Sequence, residues 1–415
     1  MARICVSLQF ETIGIVMFNF EPFLTDTYAI MLACVMLVAM IYLCLYYGLF
    51  HFRVGRWGKT GGKDGAETER VGGKEPPLPP VSVVLTAHND AEWLKENLVY
   101  LLEQEYPEFE VVVVNYLSSD DSDSVLKLLK DYYPHLKVVP FLEDVNLFQG
   151  KKYPLSIGIK SAKNDILMLA DPECTPKNLR WLRGMVAGYM ADGKADGKAK
   201  GVQIVLGYCG LKQEKTLLGW LQQYDALSYG AQYLGSALLG HPYTGSGRNL
   251  SYRRSFFFEQ GAFISHYDVA DGSDDLFVYN NATRANTRIC IDADAVLTAE
   301  PMRSYAAWRS ERRHRVGTRN RHKVLHRLCE TMPMWAAVLF YASAVLLLVQ
   351  GVLPWPVVAV LLAMKIAWQT VCFAQLAKRF DGGLVYLAAA VFEIYFIFAN
   401  TILILLPLYS NRKFK

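Results

Sequence analysis

The sequence lacks the short motifs that mark the common nucleotide-binding folds. There is no GxGxxG and no Walker A loop, so neither a dinucleotide fold nor a P-loop is supported. The eight cysteines are scattered, without a CxxC pair, and read most simply as reduced thiols. No RNA- or DNA-binding motif occurs, which leaves no nucleic-acid partner. Charge is also scarce. Only 20% of residues are charged, against 52% hydrophobic and 13% aromatic, which is apolar for a soluble protein. The formal net charge is +4, and the basic residues cluster beside apolar runs. That arrangement suits an anionic lipid surface better than a nucleic acid.

The apolar excess sits at the two ends of a 415-residue chain, a length that accommodates about two or three domains. Residues 27–50 are long enough to cross a hydrocarbon core of roughly 30 Å. They outrun a signal-peptide h-region and lack a basic n-region, so they read as a transmembrane anchor rather than a cleaved signal. Residues 1–26 form an ambiguous leader. Near the other end, 334–352, 355–377 and 384–409 are apolar, giving a membrane region of two to three spans over 334–409. The last contains Glu393 and Asn400. An ionisable group in a span usually faces protein or water and often marks function; the alternative is a tilted helix near the interface.

Arg53, Arg56, Lys59 and Lys63 follow the first span, and a basic run over 312–323 precedes the second. Lys378 and Arg379 separate the last two. The positive-inside rule then puts the central region in the cytoplasm. Four full spans would leave Arg412, Lys413 and Lys415 outside, so the final segment is a span, a re-entrant segment or an interfacial one.

Residues 51–80 are rich in Gly, Lys and Pro and read as a linker. Order begins at 81–86 (VSVVLT), a β-branched run typical of a buried parallel strand. Residues 92–105 then carry a helical apolar stripe. A second strand over 109–115, a helix over 122–132, a third strand over 137–141, a helix over 153–162 and a fourth strand over 165–170 complete the alternation. Such alternation argues for a doubly wound α/β sheet with right-handed crossovers. Residues 192–201 (DGKADGKAKG) read as a low-complexity surface insertion, and a strand resumes over 202–208.

Ligands bind such sheets at the carboxyl ends of the strands. Those ends are polar here: Ala87-His88-Asn89-Asp90, Asn115-Tyr116-Leu117-Ser118 and Asp171-Pro172-Glu173. The last is the most informative. Alternation along an extended backbone sends residues i and i+2 to one side, so the two carboxylates are placed to share a divalent cation; a plain solvated turn is the competing reading. Further on, Thr244-Gly245-Ser246-Gly247-Arg248-Asn249 is a Gly-punctuated loop that lets backbone approach a ligand, or else a tight turn. Asp271-Gly272-Ser273-Asp274-Asp275 follows. Adjacent carboxylates repel, which raises one pKa toward that of a proton acceptor; acids favoured at a helix N-terminus are the alternative. Last comes Trp308-Arg309-Ser310-Glu311-Arg312-Arg313-His314, a basic face beside the membrane or a functional cation cluster.

Taken in order, these segments resemble the membrane-bound family 2 glycosyltransferases of bacterial type, over about residues 78–325. VSVVLTAHND, GKKYPLSIGIKSAKNDILMLADPECTP, GSGRNLSYRR, GSDDLFV and WRSERRH carry the resemblance. It implies a GT-A-type, mostly parallel sheet over 81–325 with flanking transmembrane helices. It also implies a nucleotide-diphosphate-sugar donor, a lipid-linked or glycan acceptor, membrane lipids as partners and inversion at the anomeric carbon. The setting implied is a bacterial inner membrane with the catalytic domain cytoplasmic.

By position, Ala87, His88, Asn89 and Asn115 would line the donor pocket. Asp171 and Glu173 would hold Mg²⁺ or Mn²⁺. Lys151 or Lys152, with Arg312 and Arg313, would neutralise the departing diphosphate. Gly247, Arg248 and Asn249 would meet the acceptor, and Asp274 or Asp275 would be the base. The chain departs from the family pattern at Asn115, Glu173, Ser273 and Ser310. A catalytically silent nucleotide-sugar-binding subunit of an envelope-polysaccharide assembly is therefore the alternative function; a small transporter fits the large α/β body poorly.

Overall fold

Period-2 burial along the first strand shows how the body is built. In the computed structural model Val81, Val83, Leu85 and Ala87 face one hydrophobic core, while Val84 faces another. Both faces of the strand are therefore covered, as a β-branched run demands. The structure describes residues 26–58, 77–141, 150–190, 201–269, 272–351 and 353–410. The expected leader up to residue 25, most of the linker, the low-complexity insertion, Asp271 and the C-terminal Arg412, Lys413 and Lys415 lie outside them.

Strands Val81–Ala87 (β1), Phe109–Tyr116 (β2), Leu136–Phe141 (β3) and Ile166–Leu169 (β4) alternate with helices Ala91–Leu102 (α2), Ser122–Tyr132 (α3) and Lys152–Ser161 (α4), the helix Thr27–Tyr46 (α1) coming before them. β3, β2, β1 and β4 lie side by side in parallel, with Ala87 in register with Asn115 and Val84 with Leu169. The sheet continues through Leu250–Arg253 (β8), Ile204–Leu206 (β6) and Thr287–Ile289 (β9). β8 runs antiparallel to both β4 and β6, so the seven-stranded sheet is mixed but mostly parallel.

The sequence suggests one strand over 202–208; the structure divides it. Gly207 breaks the run, and Tyr208–Leu211 (β7) leaves for a small second sheet with Cys174–Pro176 (β5) and Val296–Ala299 (β10). A Cβ on Gly207 would lie 2.5 Å from the Asn249 side chain, so only glycine permits this crossing.

Helix Trp181–Met190 (α5) covers one face of the sheet with α2, through Trp181, Leu182, Leu94 and Leu98. The other face meets α4 and the long helix Leu217–Leu238 (α6). That second core does not stop at the domain boundary. It runs on through Met36, Leu43, Phe340, Phe373, Leu376 and Phe392 of the apolar helices.

Among the described residues four helices are long and apolar enough to cross a membrane: Thr27–Gly55, His326–Gln350, Trp355–Phe380 and Val385–Leu403. The second belongs to a helix that begins at Val324, ahead of the expected start at 334, and carries Pro333 inside it. Glu393 faces the interior of this bundle, not its margin. It pairs with Lys365, a side chain with no exposed surface, and accepts from Tyr47 and from the Tyr341 hydroxyl at 2.7 Å. Lys365 donates to Gln369 at 2.8 Å.

Two outcomes follow from this packing. Gly207→Ala should cost about 1–3 kcal/mol through overpacking against Asn249, read as a lowered midpoint of thermal unfolding in detergent. Removing one member of a buried ion pair leaves an uncompensated charge and costs about 3–5 kcal/mol. Glu393→Ala should therefore unfold at a lower temperature than Glu393→Leu combined with Lys365→Met, measured in the same detergent.

Candidate active site

The carboxyl ends of β2, β1 and β4 are neighbours in the sheet, so their polar tails form one row. Two residues in this row hold positive φ without being glycine: Asn89 at 57° and Leu117 at 46°. Such backbone persists only where surroundings over-determine it. Here the Asn89 N–H donates to Ser118 Oγ at 3.0 Å and its Oδ1 accepts from the Ser119 N–H at 2.8 Å, stitching the two strand ends together. His88 Nδ1 lies 2.7 Å from the Tyr116 carbonyl. Asn115 is buried, and its Oδ1 has no partner among the described residues. A buried acceptor left open at a strand end is a place for a ligand N–H.

Asp171 and Glu173 do not lie on extended backbone. They occupy the first and third positions of a turn closed by the Cys174 N–H on the Asp171 carbonyl at 3.0 Å, and Asn97 holds the Pro172 carbonyl at 3.1 Å. The turn replaces simple alternation because β5 must start at Cys174 in the other sheet. The two acids nevertheless face a common partner. Arg248 Nη2 is 2.5 Å from Glu173 Oε1 and 3.0 Å from Glu311 Oε1, and its Nε is 4.0 Å from Asp171 Oδ2. Lys151 Nζ donates to the other Asp171 oxygen at 2.7 Å.

Burial by itself would raise the Asp171 carboxyl, but Lys151 and Arg248 outweigh it and hold the group below the usual carboxylate range. Glu173 goes the other way: burial raises it, and Arg248 only partly offsets this. Lys151 is pulled down by burial and further up by Asp171, and ends above its ordinary value.

Across the cavity the two adjacent acids have different neighbours. Asp274 Oδ2 accepts from the Gly247 N–H at 2.6 Å and so braces the turn that carries Arg248. Asp275 opens helix Asp275–Asn281 (α7) and accepts from the Leu276 N–H at 2.7 Å. Burial first, and Asp274 second, push its carboxyl up to about 7. A group at that value is matched to accept a proton near neutrality.

The other expected residues separate. Lys152 is buried and points away from the carboxylates, donating to the carbonyls of His266 at 2.6 Å and of Val269. Asn249 is locked structurally, donating to the Tyr208 and Ala295 carbonyls at 2.8 Å each and accepting from Trp181 Nε1. Arg313 is exposed and does not line the cavity. Arg312 does line it, but is engaged by Asp225 at 3.3 Å, by Asn400 and by the Phe396 ring at 4.6 Å.

Two members of the site carry no assignment in the sequence reading. Asp225, in the middle of α6, anchors both Arg312 and Arg315, which hold it ionised against the cost of burial. Its signal in the sequence is a lone carboxylate on an otherwise apolar and neutral helix. Glu311 stands inside the WRSERRH run, and only the fold brings it to Arg248.

A cavity of about 590 Å³ joins part of this site; Glu173, Ala87, His88, Asn89 and Asn115 do not line it. Lys151, Asp171, Arg248, Asp274, Asp275 and Glu311 line one part of it, and Glu393, Phe396, Ile397 and Asn400 of the last apolar helix line another. The two carboxylates suit Mg²⁺ or Mn²⁺, which take one or two carboxylates and complete their shell with phosphate and water. Among the described residues no cluster of three or more His, Cys, Asp or Glu forms a self-sufficient metal cage.

Residues 82–257 match the family model described as glycosyl transferase family 2. The chain carries a family 2 glycosyltransferase domain. This domain includes the Asp171–Glu173 turn, Lys151 and Arg248. Among curated proteins, the chain is 30% identical over 120 residues to the probable glycosyltransferase YdaM of Bacillus subtilis. It is 29% identical over 93 residues to the poly-beta-1,6-N-acetyl-D-glucosamine synthase of Staphylococcus epidermidis. These matches cover 28% and 22% of this chain, and 28% and 21% of the two proteins' own lengths. Among solved structures, the chain is similar to the mannosyltransferase PcManGT from Pyrobaculum calidifontis, solved in complex with GDP-Man and Mn²⁺. The TM-score is 0.55 at 21% identity, over 89% of this chain and 98% of that one. The family 2 domain thus has the GT-A-like α/β fold, joined here to the apolar helices.

The raised Asp275 carboxyl has a consequence for stability. Folding lifts its pKa from 3.8 to about 7, so its ionisation opposes the folded state; the cost builds between those values and is constant above. Asp275→Asn should therefore gain thermal stability relative to the unsubstituted chain as pH rises from 4 to about 7, with no further gain beyond. Melting curves across that range check this.

Proposed function

We propose that the protein transfers a sugar from a nucleotide-diphosphate donor to a hydroxyl of a lipid-linked or glycan acceptor, with inversion at the anomeric carbon. The observation that carries this reading is the shared cavity. Asp171, held ionised by Lys151 and Arg248, opens into the same space as Asp275, whose carboxyl sits near 7.

Each residue has a place in a single displacement. The strand-end residues His88, Asn89 and Asn115 receive the nucleotide, with the open Asn115 Oδ1 toward the base, while Ala87 is buried in the core beneath them. Asp171 and Glu173 would hold a divalent cation, which would neutralise diphosphate charge there. The Asp275 carboxylate takes the proton of the acceptor hydroxyl. The acceptor oxygen forms a bond to the anomeric carbon as the bond to the diphosphate breaks. Lys151 and Arg248 meet the charge that grows on the leaving group. One displacement inverts the centre.

The acceptor's nature is supported by the cavity's far wall. The same space that holds the carboxylates is lined by Phe396, Ile397 and Asn400 of an apolar helix, which suits an acceptor presented from a membrane. The basic residues beside the apolar helices favour a cytoplasmic catalytic body at a bacterial inner membrane.

With Mn²⁺ and a panel of nucleotide-sugars, the full chain in detergent should release nucleoside diphosphate from at least one donor. Asp171→Ala should lower that rate by about 10²-fold or more while the protein remains folded; an unchanged rate would sink the assignment of Asp171. For the same donor, kcat/KM should rise with pH to a plateau with a midpoint near 7, as Asp275 ionises. Asp275→Asn should lower kcat by about 10²–10⁴-fold and abolish that limb of the profile, whereas Asp274→Asn should retain the limb.

A further inference from the structure

Arg248 occupies the middle of the acidic group. Its guanidinium meets Glu173 and Glu311 through one nitrogen, Nη2, and faces Asp171 through Nε. The side chain is 23% exposed. Three carboxylates (Asp171, Glu173, Glu311) thus face two cations, Arg248 and Lys151. An arginine cannot shed its proton in this setting, so the positive charge is permanent.

We propose that Arg248 is the resident counter-ion of the carboxylate pair: it holds Asp171 and Glu173 in the donor-free protein and leaves them, keeping Glu311 and gaining the diphosphate, when a divalent cation arrives with its donor. This rests on the reading of Asp171 and Glu173 as the cation-holding pair.

The surroundings permit a side-chain movement and little else. On one side of Arg248 the Gly247 N–H is tied to Asp274 at 2.6 Å. On the other, the Asn249 side chain is fixed by the Tyr208 and Ala295 carbonyls and by Trp181. The backbone is therefore pinned, and Glu311 already holds the nitrogen that would leave Glu173. Rotation about the side-chain bonds exchanges one carboxylate for the other without opening the turn.

The consequence is a coupling between two ligands. A bare divalent cation must displace a guanidinium that then has only Glu311 left as a partner. A cation that brings a diphosphate supplies a new anion for both Arg248 and Lys151. Cation and donor should therefore bind together far better than the cation alone, a reciprocal coupling between sites.

Binding of Mn²⁺ to the nucleotide-free full chain in detergent tests this, followed by loss of the free-ion electron paramagnetic resonance signal. Arg248→Met keeps an apolar stem and removes the charge. It should bind Mn²⁺ about tenfold or more tightly than the unsubstituted chain, given the strength of close charge pairs in a partly buried site. Adding Asp171→Asn should cancel the gain. Arg248→Lys, which retains a charge but not the fork that bridges the carboxylates, should fall between and serves if the methionine variant fails to fold. Equal affinities in the unsubstituted chain and both Arg248 variants, each lost with Asp171→Asn, would overturn the role of Arg248 and leave the cation site standing. Absence of Mn²⁺ binding in all of them, with and without inorganic pyrophosphate, would remove the cation site and this inference with it.

Discussion

Charge balance around Asp171 is the constraint from which the site is built. A carboxylate with 19% of its side chain exposed at the end of a sheet must be compensated, and no neighbour in its own turn can do it. Lys151 comes from the residue preceding α4, Arg248 from the turn before β8, and Glu311 from the helix Tyr305–Thr318. Three separate segments converge because their charges satisfy one another there. Their convergence fixes β4, the β8 turn and the helix that leads into the long apolar helices relative to one another.

The apolar counterpart of that web is a core that does not respect the usual division between a catalytic body and its anchor. One face of the sheet shares a continuous hydrophobic cluster with the long apolar helices. Polar ties reinforce it where the cavity passes. Asp225 holds Arg312, and Arg312 reaches Asn400 in the last helix. Deeper still, Lys365 and Glu393 satisfy one another with Tyr341 and Gln369 around them. The cavity wall therefore comes partly from the body and partly from the helices, and a change in either alters the same space.

The two adjacent acids show how local geometry assigns different tasks to identical side chains. Asp274 is spent on a backbone N–H, and through it on the turn that presents Arg248. Asp275 also accepts from a backbone N–H, that of Leu276, but sits largely desolvated with Asp274 beside it. Its proton affinity rises because burial, and after it the neighbouring Asp274 charge, disfavour its ionised form.

Much of the framework was legible in the chain alone. The apolar runs over 81–86, 109–115, 137–141 and 165–170 correspond to four parallel strands within one or two residues, because burial on both faces leaves such sequences few alternatives. The apolar spans were equally plain, since length and composition decide them. Local pattern could not say that 202–208 splits between two sheets at Gly207, because the reason is the Asn249 side chain some forty positions away in sequence. Nor could it separate Lys151 from Lys152, or Asp274 from Asp275, since adjacent residues of one type differ only in where the fold turns them. The sequence by itself determined the strands, the spans and the row of acids and amides at the sheet's edge, all of which follow from short-range periodicity. Only the tertiary structure decided that Arg248 stands among Asp171, Glu173 and Glu311, because that meeting depends on the long-range pairing of segments whose charges are individually unremarkable.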